Sequence, residues 1–348
     1  MTKRVTDLTL PDIALREAAL AGLDRGDSYA TWVSQFQCLN ELEITAAASA
    51  HPPPPALRIG AWNLERGSRW TAAQAVIMEQ NLDLVLLTEM DHGMSRSRQE
   101  HTTRALCHAL GWHGIFAVEF VELGLGNPWE LNQPVDPFNQ AGLHGNAIIS
   151  RYPLRNPKLL RFSDSDGSWW HRRFSEARLG GRIALVAEIA TTTGVISCVV
   201  THLENNTSPT VRSMAIDELL NWHGNHDLAC VVGGDFNTST IDPTETSDPF
   251  QLRQILVESD PERFRNPEVH EPLFEVFSKA NFHWNTANTR DVSQRTRERG
   301  YPKPPLGRID WLFTRHLSAT EARTTAAVDS AGHTIADHEL IQATVTAS

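Results

Sequence analysis

The sequence predicts an α/β fold made of packed layers, and three observations indicate it. Short apolar runs rich in Val, Ile and Leu recur along the chain and are bounded by Gly, Asn, Asp or Pro, as β-strands are. Segments with helical periodicity lie between several of these runs, an alternation typical of layered α/β proteins. Several runs are apolar at nearly every position, so we expect both faces of the sheet to be covered.

Residues 1–55 differ from the rest of the chain and are predicted to form a helical N-terminal extension. The stretch 11–24 has a helical pattern, and 29–44 has a second, weaker one. Four consecutive prolines follow at 52–55. Because polyproline is stiff and extended, we expect a linker there and a main domain over 56–348.

The main domain is predicted to alternate strands with helices. The apolar runs lie at 56–64, 82–90, 145–151, 182–190, 194–203, 228–236, 308–315 and 340–347. The helical patterns lie at 72–80, 101–110, 211–222, 250–257 and 273–280. Three loops are long for a compact domain, so we expect them to shape a binding face. These loops are 119–144, 163–180 and 239–305.

The composition is that of a globular protein and argues against membrane-spanning and zinc-binding classes of protein. Of 348 residues, 41% are hydrophobic and 21% charged, which suits a chain that buries a core. No run approaches the roughly 18 apolar residues of a membrane span, and no apolar signal core is visible, so a cytoplasmic location is expected. The four cysteines lack the spacing of a zinc site. The net charge of −11 weakly disfavours broad nucleic-acid binding.

Polar side chains stand at the ends of the apolar runs. Nearly every run ends in, or is abutted by, a carboxylate, amide or imidazole, although an apolar strand has little reason to end that way repeatedly. The ends of several strands converge on one rim in a layered fold, so we expect one site there. The residues concerned are Asn63, Glu89, Asn146, His202, Asp235, Asn237, Asp310, Asp337 and His338.

The acidic and amide members of this set suit the hydrolysis of phosphate esters. That reaction needs a hard cation, a positioned water and donors for the developing negative charge. Mg²⁺ or Mn²⁺ takes oxygen ligands, typically carboxylates with waters and substrate oxygens. Carboxylates or amide oxygens are available from Glu89, Asp235, Asp337, Asn63 and Asn237.

The histidines add groups that move protons. His202 and His338 can donate to phosphate oxygens or exchange protons near neutral pH. Asp310 interrupts an apolar run, and a lone buried carboxylate would be costly, so we expect it to have a partner. His338 is the candidate, because a carboxylate would fix its tautomer and stabilise its charged form.

Seven short motifs follow one another along the main domain. They are WNLE at 62–65, LLTE at 86–89, GNAIISRYP at 145–153, THLE at 201–204, GGDFN at 233–237, RIDWLF at 308–313 and ADH at 336–338. In this order they resemble the endonuclease/exonuclease/phosphatase superfamily. The resemblance implies a DNase I-like, four-layer α/β sandwich, in which two mainly antiparallel sheets are flanked by helices and residues 56–348 form the catalytic domain.

The resemblance also implies roles in metal binding and water activation. Glu89 would be the main metal ligand, with Asn63 beside it. Asp337 would be a second ligand or would orient a metal-bound water. Asp235 would position or activate the attacking water, and its carboxylate is a further candidate ligand. The attack would be in line, without a covalent enzyme intermediate.

The remaining residues are expected to bind the substrate or complete the catalytic group. Asn237 and His202 would contact the phosphate, as could Asn146 and His144. His338, oriented by Asp310, would complete the site. Whether Asp235 or His338 is the general base stays open at this stage.

Three functions are compatible with these motifs. A phosphodiesterase or phosphatase for a small molecule or lipid is favoured by the acidic charge and the long loops, which could enclose a defined ligand. A nuclease for DNA or RNA is the alternative. A catalytically inert binding module is the third, but every expected motif position is filled. The substrate is a phosphate ester of unknown identity, and no obligate protein partner is evident.

Two further segments could either bind substrate or have a purely structural role. Trp169 and Trp170, followed by His171, Arg172 and Arg173, could stack on a base or sugar, but packing of the tryptophans against the domain is favoured. A basic loop over 290–303 could steer an anionic substrate to the site, although the interpretation as a solvated loop without a binding role is favoured. It contains Arg290, Arg295, Arg297, Arg299 and Lys303.

Overall fold

A computed structural model gives the structure of residues 2–48, 51–127, 130–132, 136–163, 168–171, 176–224, 226–243, 245–246, 248–260, 262–297, 300, 302 and 304–347. Within these residues, fourteen strands form two mixed sheets that seven α-helices flank. The strands are β1 (Lys3–Val5), β2 (Glu41–Thr45), β3 (Leu57–Asn63), β4 (Leu84–His92), β5 (His113–Glu122), β6 (Leu143–Ser150), β7 (Arg155–Arg161), β8 (Arg178–Gly180), β9 (Ile183–Thr191), β10 (Gly194–His202), β11 (Ala229–Asp235), β12 (Asp310–Arg315), β13 (Leu317–Thr325) and β14 (Leu340–Ala347).

Seven α-helices lie among the described residues. They are α1 (Ile13–Arg25), α2 (Tyr29–Val33), α3 (Trp70–Glu79), α4 (Thr102–Leu110), α5 (Pro209–His223), α6 (Pro249–Ser259) and α7 (Leu273–Lys279). None of the helices in the described part of the chain has the length and apolar character that crossing a membrane requires.

The two sheets are mainly antiparallel. The larger has the strand order β1-β2-β5-β6-β4-β3-β14-β13, with β8 paired to β5, and only its pairs β1–β2 and β3–β4 are parallel among the described residues. The smaller has the order β12-β11-β10-β9-β7, and β10–β11 is its parallel pair.

Alternate side chains of the central strands pack into different layers. On β4, Leu84 and Leu86 lie in the core between the two sheets, whereas Val85 and Leu87 lie in the core formed with α3 and α4. On β11, Val232 packs in a third core with α5 and α7. The layers are therefore helix, sheet, sheet, helix, and the predicted four-layer α/β sandwich is confirmed.

All eight predicted strands are present, and each lies within two residues of its expected limits. The central strand β5 was not predicted, and its last residues fell in the supposed loop 119–144. Glu119 and Glu122 interrupt its apolar pattern, yet both carboxylates are buried. They are tolerated because Arg182 pairs with Glu119 and Arg96 pairs with Glu122.

The N-terminal segment is helical only in part. In the stretch 29–44, which was expected to be helical, α2 ends at Val33 and the strand β2 begins at Glu41. Glu41 and Glu43 of β2 are buried because Thr9 donates to the first and His101 pairs with the second. The segment adds β1 and β2 to the edge of the larger sheet. The division of the chain at residue 55 stays a prediction.

A buried ion pair beneath the smaller sheet supports a prediction about stability. Arg212 of α5 binds Glu271 through Nη2–Oε1 and Nε–Oε2 contacts of 2.6 and 3.1 Å, and both side chains are fully buried. Arg212→Met would leave the Glu271 charge buried and uncompensated. We expect the free energy of unfolding to fall by about 3–5 kcal/mol, measured by urea denaturation.

The control for this prediction is Lys279→Met, which removes an exposed ion pair with Glu275. The urea midpoint should not change measurably in that variant, because exposed pairs contribute little. Equal midpoints for the Arg212 variant and the unmodified protein would contradict the stabilising role of the buried pair.

Candidate active site

Strand register places three of the predicted residues side by side at one end of the smaller sheet. Asp235 ends β11. His202 is its partner at the end of the parallel strand β10, and Asp310 is its partner at the start of the antiparallel strand β12. The site is therefore built on rigid strand ends rather than on loops alone.

The larger sheet brings two more residues to the same rim. Asn63 ends β3 opposite Thr88 of β4, and Glu89 follows Thr88. An irregularity between Leu87 and Met90 interrupts the pairing of β4 with β6, and Glu89 has φ of +57°. A residue with a side chain rarely adopts this conformation, and such strain is concentrated at functional sites.

The amide group of Asn63 connects the two sheets inside the site. Its Nδ2 donates to Glu89 Oε1 at 3.2 Å and to Asp235 Oδ2 at 3.0 Å. Its Oδ1 accepts from the backbone N–H of Glu65 at 3.0 Å. These contacts orient the Asn63 side chain between the two carboxylates, and its role as a metal ligand stays a prediction.

Asp235 is the carboxylate on which the site residues converge. Its Oδ1 accepts from the backbone N–H of Asn237 at 2.9 Å. The Nε2 atoms of His202 and His338 lie 3.5 and 3.8 Å from its Oδ2. Burial and the neighbouring Asp310 carboxylate raise the pKa of Asp235 to about 7, against the opposing effect of His338.

The expected contact between His338 and Asp310 is present. His338 Nδ1 lies 2.8 Å from Asp310 Oδ2, and both side chains are buried. Burial lowers the pKa of His338, but Asp310 and Asp235 outweigh it and raise that pKa well above its ordinary value. Asp310 Oδ1 has no hydrogen-bond partner among the described residues, so the imidazole is its main counter-group.

His202 lies in a buried polar cluster with two residues that the sequence analysis did not select. Arg182 Nη1 donates to His202 Nδ1 at 2.9 Å and to Glu119 Oε2 at 3.2 Å. Burial and the charge of Arg182 lower the pKa of His202 well below its ordinary value. The one available signal was the position of Arg182 at the start of a predicted strand.

Asn237 is held by its own amide. Its Nδ2 donates to the backbone oxygen of Leu203 at 2.9 Å, and its φ is +49°. The side chain is buried beside Asp235. Its contact with phosphate stays a prediction.

Two expected substrate-binding residues lie in the interior. The Nδ2 of Asn146 donates to Glu119 Oε1 at 2.9 Å, and its Oδ1 has no partner among the described residues. His144 Nδ1 is 2.8 Å from Asp91 Oδ1, and its Nε2 is 3.4 Å from Arg66 Nη1. Both side chains are fully buried. The geometry therefore favours support of the site over direct contact with substrate.

Asp337 stands at the rim beside His338. It is half-buried, and its backbone N–H donates to Glu65 Oε2 at 3.1 Å. Burial and the Glu89 carboxylate raise the pKa of Asp337, against the opposing charge of His338. Glu65 also pairs with Arg297, so the basic loop reaches this rim.

Arg66 is a third site residue that the sequence did not indicate. Its Nη1 donates to Glu89 Oε2 at 2.7 Å, and its Nε donates to Glu130 Oε1 at 3.0 Å. Glu65, Arg66 and Gly67 have φ of +45°, +72° and +62°, so a strained turn holds the guanidinium there. Burial raises the pKa of Glu89, but Arg66 and other cations lower it to about 2. Arg66 directly follows the WNLE motif, which gives no indication of this contact.

Trp169 and Trp170 pack against the domain, which is the interpretation that the sequence favoured. Trp169 and Trp170 are buried. The ring of Trp169 lies 4.7 Å from the guanidinium carbon of Arg178, and Trp170 Nε1 donates to the backbone oxygen of Asp27 at 3.0 Å. Arg172 and Arg173 lie outside the described residues.

Acidic partners offset part of the basic loop. Arg295 pairs with Glu339 at 2.8 Å, and Arg297 pairs with Glu65. Arg290 is exposed. The segment therefore presents less positive charge than its sequence indicates. Arg299 and Lys303 lie outside the described residues.

Besides the group of Asp235, Asp310 and His338, a second group of possible metal ligands lies around the end of β4. Glu43, His92 and His101 each offer one atom within 4.8 Å of the others. The two imidazoles are stacked, with centroids 4.0 Å apart and planes 23° apart. Because a ring nitrogen binds a metal in the plane of its ring, stacked rings cannot both point at one ion, so this group does not form a metal site in its present geometry.

The comparisons with known proteins agree with this geometry. The sequence profile of the Endonuclease/Exonuclease/phosphatase family matches residues 60–338. The chain belongs to this family. The match covers most of the chain, including every motif between Asn63 and His338. No curated protein sequence matches the chain significantly.

Solved structures share the fold of this family member at low identity. An endonuclease/exonuclease/phosphatase from Beutenbergia cavernae is 16% identical, with a TM-score of 0.55 over 84% of this chain and 72% of the other. The human Nocturnin catalytic domain with bound sulfate is 17% identical, with a TM-score of 0.53 over 88% and 97%. The 3′ phosphatase NExo from Neisseria, bound to a product DNA hairpin, is 15% identical, with a TM-score of 0.51 over 83% and 98%. These likenesses confirm the DNase I-like fold.

The residues at the rim fit the divalent cation on which the family generally depends. Glu89, Asp235 and Asp337 provide carboxylates, which are hard oxygen donors of the kind that Mg²⁺ and Mn²⁺ take. Asp235 and Asp310 are neighbouring buried carboxylates, and Asp310 Oδ1 has no partner among the described residues. A cation at this rim would offset that concentration of negative charge.

Proposed function

We propose that this protein is a divalent-cation-dependent hydrolase that cleaves a phosphate ester by direct attack of water. The observation that carries the proposal is the convergence on Asp235 of Asn63 at 3.0 Å, His202 at 3.5 Å and His338 at 3.8 Å. These side chains come from separate segments, since Asn63 ends β3, His202 ends β10 and His338 precedes β14, and their chemistry suits proton transfer and the stabilisation of developing charge.

The proposed reaction uses the side chains as follows. When bound, the cation would be held by Glu89, Asp235 and Asp337 and would polarise the phosphoryl oxygens. The water oxygen forms a bond to phosphorus as the ester P–O bond breaks. The proton of the water passes to Asp235, and the leaving oxygen takes up a proton from the charged imidazole of His338. His202 lies beside them as a contact for a phosphoryl oxygen.

For the substrate, we propose a small-molecule or lipid phosphate ester. The net charge is −11, and a surface of that sign repels a polyanion. The arginines nearest the site do not offset this charge for a long nucleic acid, because Arg66 pairs with Glu89 and Arg297 pairs with Glu65. Recognition of one phosphate group needs no extended basic surface.

A nuclease is the second candidate. The similar structure of the 3′ phosphatase NExo is bound to a product DNA hairpin, which favours activity at a nucleic-acid end. A panel of plasmid, single-stranded DNA, nucleotides, phospholipids and sugar phosphates separates the two candidates. Turnover confined to the nucleic acids would reject the small-molecule or lipid assignment.

Chelation tests the requirement for a cation. EDTA should reduce hydrolysis of bis-p-nitrophenyl phosphate to background, and Mg²⁺ or Mn²⁺ should restore it, because the cation polarises the phosphoryl group. Glu89→Gln should raise the cation concentration needed for half-maximal rate. The exposed Glu275→Gln variant is the matched control and should not. Unchanged activity after chelation would reject the metal role.

A further inference from the structure

Arg182 and His202 form a buried hydrogen bond beside the ends of two paired strands. The antiparallel pairing of β9 with β10 extends to Ala184 and Thr201, so the residues just beyond it lie close together. Arg182 Nη1 is 2.9 Å from His202 Nδ1, and both side chains are buried. Solvent therefore does not compete for this hydrogen bond.

The chemistry of the guanidinium fixes the tautomer of the histidine. Arginine has five N–H donors, no acceptor and a charge that proteins do not remove. His202 Nδ1 must therefore accept the hydrogen bond, and the ring proton must be on Nε2. That Nε2 is 3.5 Å from Asp235 Oδ2, so the N–H group lies in the candidate active site beside this carboxylate.

Arg182 is itself held in place on several sides. Its Nη1 donates to Glu119 Oε2 at 3.2 Å, and its Nε donates to Glu204 Oε2 at 3.4 Å. Its guanidinium carbon lies 5.4 Å from the centre of the Phe120 ring. The two acids compensate its buried charge, and together these contacts restrict its rotation.

The second histidine of the site, His338, has an acidic partner that accepts hydrogen bonds, whereas the partner of His202 donates them. His338 Nδ1 faces the carboxylate of Asp310 at 2.8 Å, and a carboxylate accepts hydrogen bonds. His338 therefore carries a proton on Nδ1, whereas His202 does not. The two imidazoles beside Asp235 are fixed in different protonation patterns by their neighbours.

We propose that Arg182 is a positioning residue that holds His202 as the Nε2–H tautomer, which makes His202 a fixed hydrogen-bond donor to a phosphoryl oxygen of the substrate. Proton exchange is then left to Asp235 and His338. The part of this inference that concerns substrate rests on the proposed function. The tautomer itself does not.

Substitution of His202 distinguishes a fixed donor from a group that exchanges protons. The amide nitrogen of glutamine can occupy the position of histidine Nε2, whereas that of asparagine falls near Nδ1. We expect His202→Gln to keep kcat/KM within about 10-fold, and His202→Asn and His202→Ala to lose about 10²-fold or more, as for one transition-state donor. Equal losses in all three variants would overturn the donor role.

Nitrogen NMR tests the tautomer without reference to activity. In protein labelled with ¹⁵N-histidine, protonated and unprotonated ring nitrogens have distinct shifts. His202 should show a protonated Nε2 and an unprotonated Nδ1, and Arg182→Met should change this pattern. Arg178→Met is the control, because Arg178 also lies 5.4 Å from Phe120 but contacts Glu122 and Glu176. A protonated Nδ1 in the unmodified protein would overturn the inference, even if the Arg182 variant does not fold.

The two readouts separate this inference from the proposed function. An inactive protein whose His202 has the Nε2–H pattern would leave the Arg182 contact supported and reject the hydrolase. An active enzyme with Nδ1–H on His202 would retain the hydrolase and reject the role of Arg182.

Discussion

Asp235→Asn is expected to lower kcat/KM for phosphate-ester hydrolysis by at least about 10²-fold. The carboxylate accepts from Asn63 and Asn237 and faces two imidazoles at 3.5 and 3.8 Å. An amide has the same shape, but it carries no negative charge and cannot take up a proton. The measurement is steady-state hydrolysis of bis-p-nitrophenyl phosphate with saturating Mg²⁺.

The matched control for this variant is Asp217→Asn on α5. Asp217 is exposed and accepts a hydrogen bond from Asn221 at 3.0 Å. The same chemical change there should leave kcat/KM unaltered. Near-normal turnover of the Asp235 variant would remove this residue from the catalytic group and leave the proposed reaction without its central carboxylate.

His338→Ala and Asp310→Ala should each cost about 10²-fold or more in kcat, and the double variant should lose little more than either single variant. The reason is that Asp310 acts through the imidazole, whose Nδ1 lies 2.8 Å from its Oδ2. Once the imidazole is absent, the carboxylate has no group to orient, so the two losses do not add. The measurement is a double-mutant cycle on kcat.

A surface pair of the same type provides the control for the cycle. His333 Nδ1 lies 3.3 Å from Asp329 Oδ2, and the histidine is exposed. His333→Ala and Asp329→Ala should leave kcat unchanged singly and together. Additive losses at His338 and Asp310 would show that they contribute independently, which would exclude the pairing as the basis of their role.

The sequence was sufficient for the parts of the fold that depend on local pattern. Eight apolar runs identified four adjacent strands in each sheet, since strands covered on both faces are apolar at most positions. The strands it missed carry charges. Glu41 and Glu43 in β2, and Glu119 and Glu122 in β5, resemble exposed positions in the sequence. They are buried because partners from distant segments pair with them, and a local pattern contains no information on those partners.

The candidate site, like the fold, was predictable from the sequence only in part. The identity of the polar strand-end residues and the need of Asp310 for a partner follow from the sequence, because a buried carboxylate is costly alone. Only the tertiary structure decided where each side chain points. It directs the amide nitrogen of Asn63 at two carboxylates, buries His144 and brings Arg182 to His202. The sequence determines which residue types are present. The direction of each hydrogen-bond donor, the burial of each side chain and the tautomer of each histidine depend on contacts between segments far apart in sequence.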